Sequence, residues 1–213
     1  MTPETLVQRL HWHGHVTFHL EASSSIWFDP WKVNGFPRNA DLVLVSHDHF
    51  DHCVPADVDK VRNPRTVVVA SPSAAARLPG ARALAPGQSI EIGGVRVEAV
   101  AAYNLNKFRV PGQVFHPRDA GHVGFVVEVD GVRLYFAGDT DLTEEMRKVR
   151  CDVALLPISG TYVMTIDEAA EAAKALAPTI VVPMHYGDIV GGADDGEVFA
   201  RRYTGRTVVL PIT

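Results

Sequence analysis

Three imidazoles and two carboxylates occupy six consecutive positions, His47-Asp48-His49-Phe50-Asp51-His52. The chain holds 10 histidines, and chance would produce H-x-H-x-D-H at this composition in roughly one or two sequences per thousand. Neutral imidazole nitrogens and ionised carboxylates are ligands for zinc, manganese and iron. A tight turn presents His47 and His49 at i and i+2 toward one cation, and lets Asp51 and His52 reach a second. Two ions about 3.5–4 Å apart need six or seven ligands, some of them shared. The hexapeptide is therefore half a site, and its partners must come from elsewhere. A solvated polar loop with incidental histidines fits poorly, because the cluster directly follows the apolar run Leu42-Val43-Leu44-Val45.

Two other loaded segments share that placement. Gly138-Asp139-Thr140 follows Val132–Phe136, and Met184-His185-Tyr186 follows Ile180-Val181-Val182. Side chains at strand ends converge from distant positions on a rigid scaffold. Gly-Asp-Thr is also ordinary turn chemistry, and only the first cluster turns Asp139 into a candidate ligand.

The elements that must position these residues are read from periodicity and punctuation. Leu6–Trp12, Val16–Leu20 and Ile26–Phe28 read as short strands, broken by Asp29-Pro30 and Asn34-Gly35. Leu42–Val45 suits a strand covered on both faces. Pro55 opens a helix to about Val61; Val67–Ala70 is a buried strand, and Pro72–Leu78 a short helix. Ile90–Val97 reads as a hairpin closed by Gly93-Gly94, and Val123–Val129 with Val132–Phe136 as a second across Asp130-Gly131. Residues 103–121 look irregular, the mark of a functional loop. Thr143–Val149 is expected helical, Val153–Leu156 a strand, and Ile166–Leu176 an amphipathic helix capped by Thr165 or Asp167. Asp194–Tyr203 gives a last helix and Thr207–Leu210 a terminal strand. The histidines at 11, 13 and 15 read as one face of a half-buried strand, with no catalytic role.

The 213 residues, 46% hydrophobic and 21% charged, suit one layered α/β domain over 1–213. A formal charge of −5 disfavours nucleic acid as partner. No leader pattern or long apolar window is present, so no membrane role is expected. Cys53 and Cys151 form no CxxC, which points to a reducing cytoplasm. Oligomeric state is not legible, and a homo-oligomer is compatible with everything above.

H-x-H-x-D-H is the signature of the metallo-β-lactamase superfamily, and His47 to His52 matches it at every specified position. Gly14-His15, Phe28-Asp29-Pro30, Tyr103-Asn104, Phe115-His116-Pro117, Ala137 to Asp141, Leu155-Leu156-Pro157, Gly160-Thr161-Tyr162 and Pro183 to Gly187 extend the likeness over nearly the whole chain. Together they resemble the single-domain branch related to ascorbate-6-phosphate lactonase. The resemblance implies a four-layer αββα sandwich with two divalent metals, zinc first and manganese or iron as alternatives. It gives His47, His49 and His116 to the first metal, with His122 as the alternative third histidine. It gives Asp51, His52 and His185 to the second, and makes Asp139 the bridge together with a water or hydroxide.

That implies hydrolysis of a small ester, lactone or phosphoester by a bridged hydroxide. Asp51 or Asp139 would orient it and take its proton, and His185 would assist the leaving group. Asp29 could hold a ligand histidine from behind. Tyr103, Asn104 and Tyr186 are candidates for substrate contact or support. Two other functions compete: a phosphodiesterase on nucleotides or nucleic acid, and a metal-binding or redox protein without hydrolytic activity.

Overall fold

The computed structural model describes all residues from 1 to 213. The first helix, α1 (Pro3–Gln8), starts where Thr2 Oγ1 accepts a hydrogen bond from the Thr5 amide and Pro3 presets the first turn. A sheet of six strands follows: β1 (Leu10–Trp12), β2 (Phe18–Glu21), β3 (Ser25–Phe28), β4 (Ala40–Val45), β5 (Arg62–Ala70) and β6 (Arg82–Ala83), neighbours in that order. β1 to β3 are antiparallel, whereas β3 to β6 run parallel. β4, β5 and β6 are joined through helices α2 (Pro55–Val61) and α3 (Pro72–Ala75), and β3 reaches β4 through the irregular stretch 29–39, as parallel pairing requires a crossover.

The second sheet takes β7 (Ser89–Ile92) and β8 (Val95–Ala101). The chain then makes a small separate hairpin, β9 (Phe108–Val110) with β10 (Gln113–Val114). It returns to the second sheet as β11 (Val123–Val129), β12 (Val132–Phe136), β13 (Val153–Pro157) and β14 (Ile180–Met184), in the spatial order β14-β13-β12-β11-β8-β7. β12, β13 and β14 are parallel. Between the last two lies α4 (Ile166–Leu176), and α5 (Asp195–Arg202) follows β14.

Alternation along β4 fixes the layering. Leu42 and Leu44 join Ile26, Phe28 and Phe136 in the core between the sheets, while Val43 and Val45 join Trp27, Val58 and Ala74 beneath α2 and α3. On the far side α4 lays an alanine face, Ala169, Ala170, Ala172 and Ala173, against the second sheet. The result is helices, sheet, sheet, helices. No helix is long and apolar enough to cross a membrane.

The parallel strands determine what comes next. β3, β4, β12, β13 and β14 each deliver their C-terminal ends to one edge of the sandwich, and Asp29, Ser46, Asp139, Ser159 and His185 lie one to three residues beyond those ends.

The structure departs from periodicity in four places. Leu6–Trp12 is not one strand: Leu6 and Val7 are buried by α1, and only Leu10–Trp12 is extended. The capped start outweighs the apolar alternation. The 103–121 segment is not structureless, since it carries β9, β10 and a 3-10 turn at Arg118–Ala120. Thr143–Val149 is only a 3-10 turn at Met146–Lys148. Thr207–Leu210 forms no strand beyond a single bridge between Thr207 and Val181.

Gly124 in β11 shows how closely the strands meet: a Cβ there would lie 2.5 Å from the Ala137 carbonyl oxygen and 2.7 Å from that of Phe136. Both are backbone atoms that cannot swing aside. Gly124→Ala is therefore expected to cost roughly 1–3 kcal/mol in a urea unfolding titration. A change within a few tenths would mean the strands can part there freely.

Candidate metal centre

After β4 the backbone stays extended through Ser46 and His47, then turns so that the His52 and Cys53 amides donate to the His49 carbonyl at 3.1 and 2.9 Å. The turn aims His47, His49, Asp51 and His52 at one edge of the sandwich. His47 Nε2 and His116 Nε2 lie 3.1 and 3.2 Å from His49 Nδ1. Nitrogens about 2.0–2.1 Å from a tetrahedral ion would sit about 3.4 Å apart, so this spacing fits a cation with three imidazole ligands. Asp51, His52 and His185 form a second group, joined there by His15, and in each group the potential donor atoms lie within 4.8 Å of one another.

Asp139 faces both groups. Its Oδ2 lies 3.3 Å from His116 Nε2 and 3.2 Å from His185 Nε2, and its Oδ1 lies 3.4 Å from His52 Nε2. His52 Nε2 and Asp139 Oδ1 are buried without a hydrogen-bond partner. Buried polar atoms rarely stay unsatisfied, and a cation between them would satisfy both. The all-nitrogen and oxygen donor set suits zinc, manganese or iron.

Behind four of the five ligand rings, all but His49, stands a second group that fixes its orientation. Asp29 Oδ2 is 2.7 Å from His52 Nδ1, and its two oxygens also accept from the Ser46 amide and hydroxyl, at 2.7 and 2.5 Å. Ser46 Oγ is 2.9 Å from His47 Nδ1, Asn104 Oδ1 is 2.9 Å from His116 Nδ1, and Ser159 Oγ is 3.1 Å from His185 Nδ1. Asn104 thus stands behind a ring, on the side away from the cavity. Tyr103 gives its hydroxyl to Glu145 at 2.8 Å, and Tyr186 is buried against the Trp12 ring, so neither lines the cavity over the site. His122 packs near His47 and faces Asp48 at 3.6 Å, outside both groups.

His15 departs most from the sequence reading. β1 ends at Trp12, and His15 sits in a left-handed turn with φ 50, fully buried, its Nε2 3.1 Å from Asp51 Oδ2. Asp29 and His185 also have positive φ, at 39 and 61. Backbone in this region is costly for non-glycine residues and gathers at functional sites. Ser46 and Ser159 were missed as well; the only available signal was that each directly precedes a ligand or follows a strand that ends at the site.

Gly138 (φ 65) explains how Asp139 gets close: a Cβ there would come within 2.9 Å of the Val123 carbonyl oxygen and 3.3 Å of Ser46 Cβ. The loop carrying His116 is tied down at its base. Asp141 Oδ2 accepts from the Leu105 and Asn106 amides at 2.6 and 3.1 Å. Glu168, whose Oε2 also closes the capping box of α4 onto the Thr165 amide at 2.7 Å, pairs with Lys107 at 2.7 Å. Above the site opens a cavity of about 300 Å³, floored by His49, Asp51, His116 and Asp139.

Electrostatics prepare the ligands unequally. Burial holds His47 well below its ordinary range, lowers His49, and brings His116 to about 3, so all three are neutral lone-pair donors at neutral pH. Burial would lower His52 too, but the Asp139 charge beside Nε2 and the Asp29 carboxylate hydrogen-bonded to Nδ1 outweigh it and raise His52 well above its ordinary range. Asp139 stays ionised despite burial, because His185 and His52 face it.

Similarity to known proteins spans both donor groups. The family model for the beta-lactamase superfamily domain matches residues 9–185. A UPF0173 metal-dependent hydrolase of Thermoplasma acidophilum is 37% identical over 192 residues, 82% of this chain and 81% of that protein. Another, of Methanoculleus marisnigri, is 35% identical over 201 residues, 91% of this chain and 87% of its own. A solved structure from Parabacteroides distasonis, described as a metal-dependent hydrolase, superposes with a TM-score of 0.83 at 29% identity, covering 96% of this chain and 93% of the other.

Without metal His52 carries a proton, and a cation must displace it. Below the raised His52 pKa each loading event releases that proton, so apparent metal affinity is expected to climb with pH up to that pKa and level off above it. Titration of metal-free protein with zinc in a pH-stat checks this; uptake without proton release contradicts it.

Proposed function

The chain belongs to the beta-lactamase superfamily and is a metal-dependent hydrolase; from that premise we propose that it cleaves a small ester, lactone or phosphoester with two divalent cations, zinc foremost. The observation that carries the reading is Asp139, a single buried carboxylate within 3.4 Å of ring nitrogens from both donor groups. In this reading His47, His49 and His116 hold one cation, Asp51, His52 and His185 hold the other, and Asp139 is shared.

When bound, the cations would activate water as nucleophile and draw charge from the substrate's carbonyl or phosphoryl oxygen. The remaining work belongs to the chain. Asp51 faces the cavity, and burial would raise its pKa, but the hydrogen bond from His15 and the His52 charge keep it ionised. Like Asp139, which also lines the cavity and is ionised, it is able to accept a proton from the attacking water, and His15 fixes which of its oxygens points away. Asn104 and Ser159 hold the His116 and His185 rings so that neither swings as charge develops. His185 is fully buried between Ser159 and Asp139, so its part is to hold the second cation rather than to touch the departing group.

A cavity of about 300 Å³ suits a small molecule better than a polymer strand, and with the acidic balance this favours the reading over a nuclease. The same reading makes residues 1–213 one catalytic domain and gives it a cytoplasmic setting, where the free thiols Cys53 and Cys151 stay reduced.

Metal analysis of the purified protein should find two equivalents of divalent cation, and chelation should abolish hydrolysis of test esters and lactones until zinc or manganese is restored. Asp139→Ala should lose at least one equivalent and roughly a hundredfold or more in rate. Full activity in that variant, or activity indifferent to chelators, overturns the reading.

A further inference from the structure

The cavity over the metal centre has walls unlike its floor. Phe115 and Tyr162 meet edge-on, with ring centroids 4.7 Å apart, and Phe50 and Ile189 complete an apolar lining. Phe50 lies between His49 and Asp51 and leaves 68% of its surface exposed, the largest exposure among the chain's big hydrophobic side chains. An apolar ligand seated over the metal centre would bury part of that surface, because Phe50 lines the same cavity as His49 and Asp51.

Into this apolar lining projects one basic side chain. Arg109, on β9, is the sole lysine or arginine lining the cavity, and its guanidinium carbon lies 5.5 Å from the Phe115 ring centroid. It stacks on an aromatic face and enters no ion pair, while Arg118, Arg133, Arg202 and Arg206 each meet a carboxylate. Its planar fork of donors is therefore free to pair with an oxyanion. The hairpin that carries it is anchored at its root. The Phe115 amide donates to the Lys107 carbonyl at 3.0 Å, closing the hairpin, and Lys107 is held by Glu168 and Asp141. The charge thus stands beyond Phe115 from His116, one aromatic ring away from the reacting centre.

Resting on the hydrolase reading above, we propose that the site selects small substrates with an apolar body and one anionic group, and that Arg109 reads the charge. The apolar portion lies against Phe50, Phe115 and Tyr162, the scissile group faces the donor residues, and the anion meets Arg109. A neutral ester of the same shape fills the walls and leaves the guanidinium in water.

Phenylmethanesulfonate and its uncharged analogue benzyl methyl sulfone test this, because a sulfonate is a permanent anion and a weak zinc ligand. Binding of each to zinc-loaded wild type, Arg109→Gln, Arg109→Glu and the distant exposed control Arg65→Gln is measured by calorimetry, with zinc content determined on the same samples. Wild type and the control should bind the sulfonate about fivefold tighter than the sulfone, the scale of one exposed guanidinium pair. Arg109→Gln should bring the two within twofold, and Arg109→Glu should reverse the order, with zinc content unchanged. An undiminished sulfonate preference in Arg109→Gln, or no preference in wild type, overturns the proposal. Wild type that holds no zinc strikes instead at the hydrolase reading, so the two failures are distinguishable.

Discussion

Ring nitrogens and carboxylate oxygens crowd together at one edge of this sandwich, largely buried and reached by solvent through the cavity above them. His49 Nδ1 faces two other imidazole nitrogens within 3.2 Å, and His52 Nε2 and Asp139 Oδ1 are buried with no hydrogen-bond partner. Such an array is unfavourable by itself where a polar atom has left water without regaining a partner, as His52 Nε2 and Asp139 Oδ1 have. The architecture holds it in place from behind. Asp29, Ser46, Asn104 and Ser159 each fix one ring, and left-handed backbone at His15, Asp29 and His185 is tolerated where the chain must bend into the site.

Parallel strands make the convergence possible. Five of them, three in one sheet and two in the other, end at the same edge, so residues as far apart as Asp29 and His185 become neighbours without a long excursion of the chain. That strand-end placement was visible in the sequence as apolar runs stopping directly before histidine or aspartate. It is why residues separated by more than a hundred positions were legible as one candidate site.

What was not legible depends on tertiary choice. Only the resemblance of Phe115-His116-Pro117 favoured His116 over His122 in the sequence; in the structure the Asn104 side-chain carbonyl, which meets both the His116 amide and ring, brings His116 to His49. His15 reads as part of an alternating His-x-His-x-His pattern, yet the turn at Gly14 takes it off the strand and beside Asp51. Serine is too common for Ser46 or Ser159 to be noticed. The α1 helix was hidden because its apolar residues also fit period two, and its cap at Thr2 is a weak signal in isolation. The β9–β10 hairpin was masked by glycine, proline and asparagine, residues that mark turns without saying what lies between them.

Glu168 has a consequence beyond its ion pair. One carboxylate closes the N-terminal box of α4 onto Thr165 and, with the same oxygens, grips Lys107 and Asn106 at the root of the hairpin that leads to His116. Fraying of a helix end is usually a local event of low free energy. Here the first turn of α4 cannot fray without loosening the root of the arm over the cavity, and the arm cannot lift without uncapping the helix. The same carboxylate thus ties the cavity's mouth to the start of a helix packed on the outer face of the second sheet, and losing it would loosen both at once.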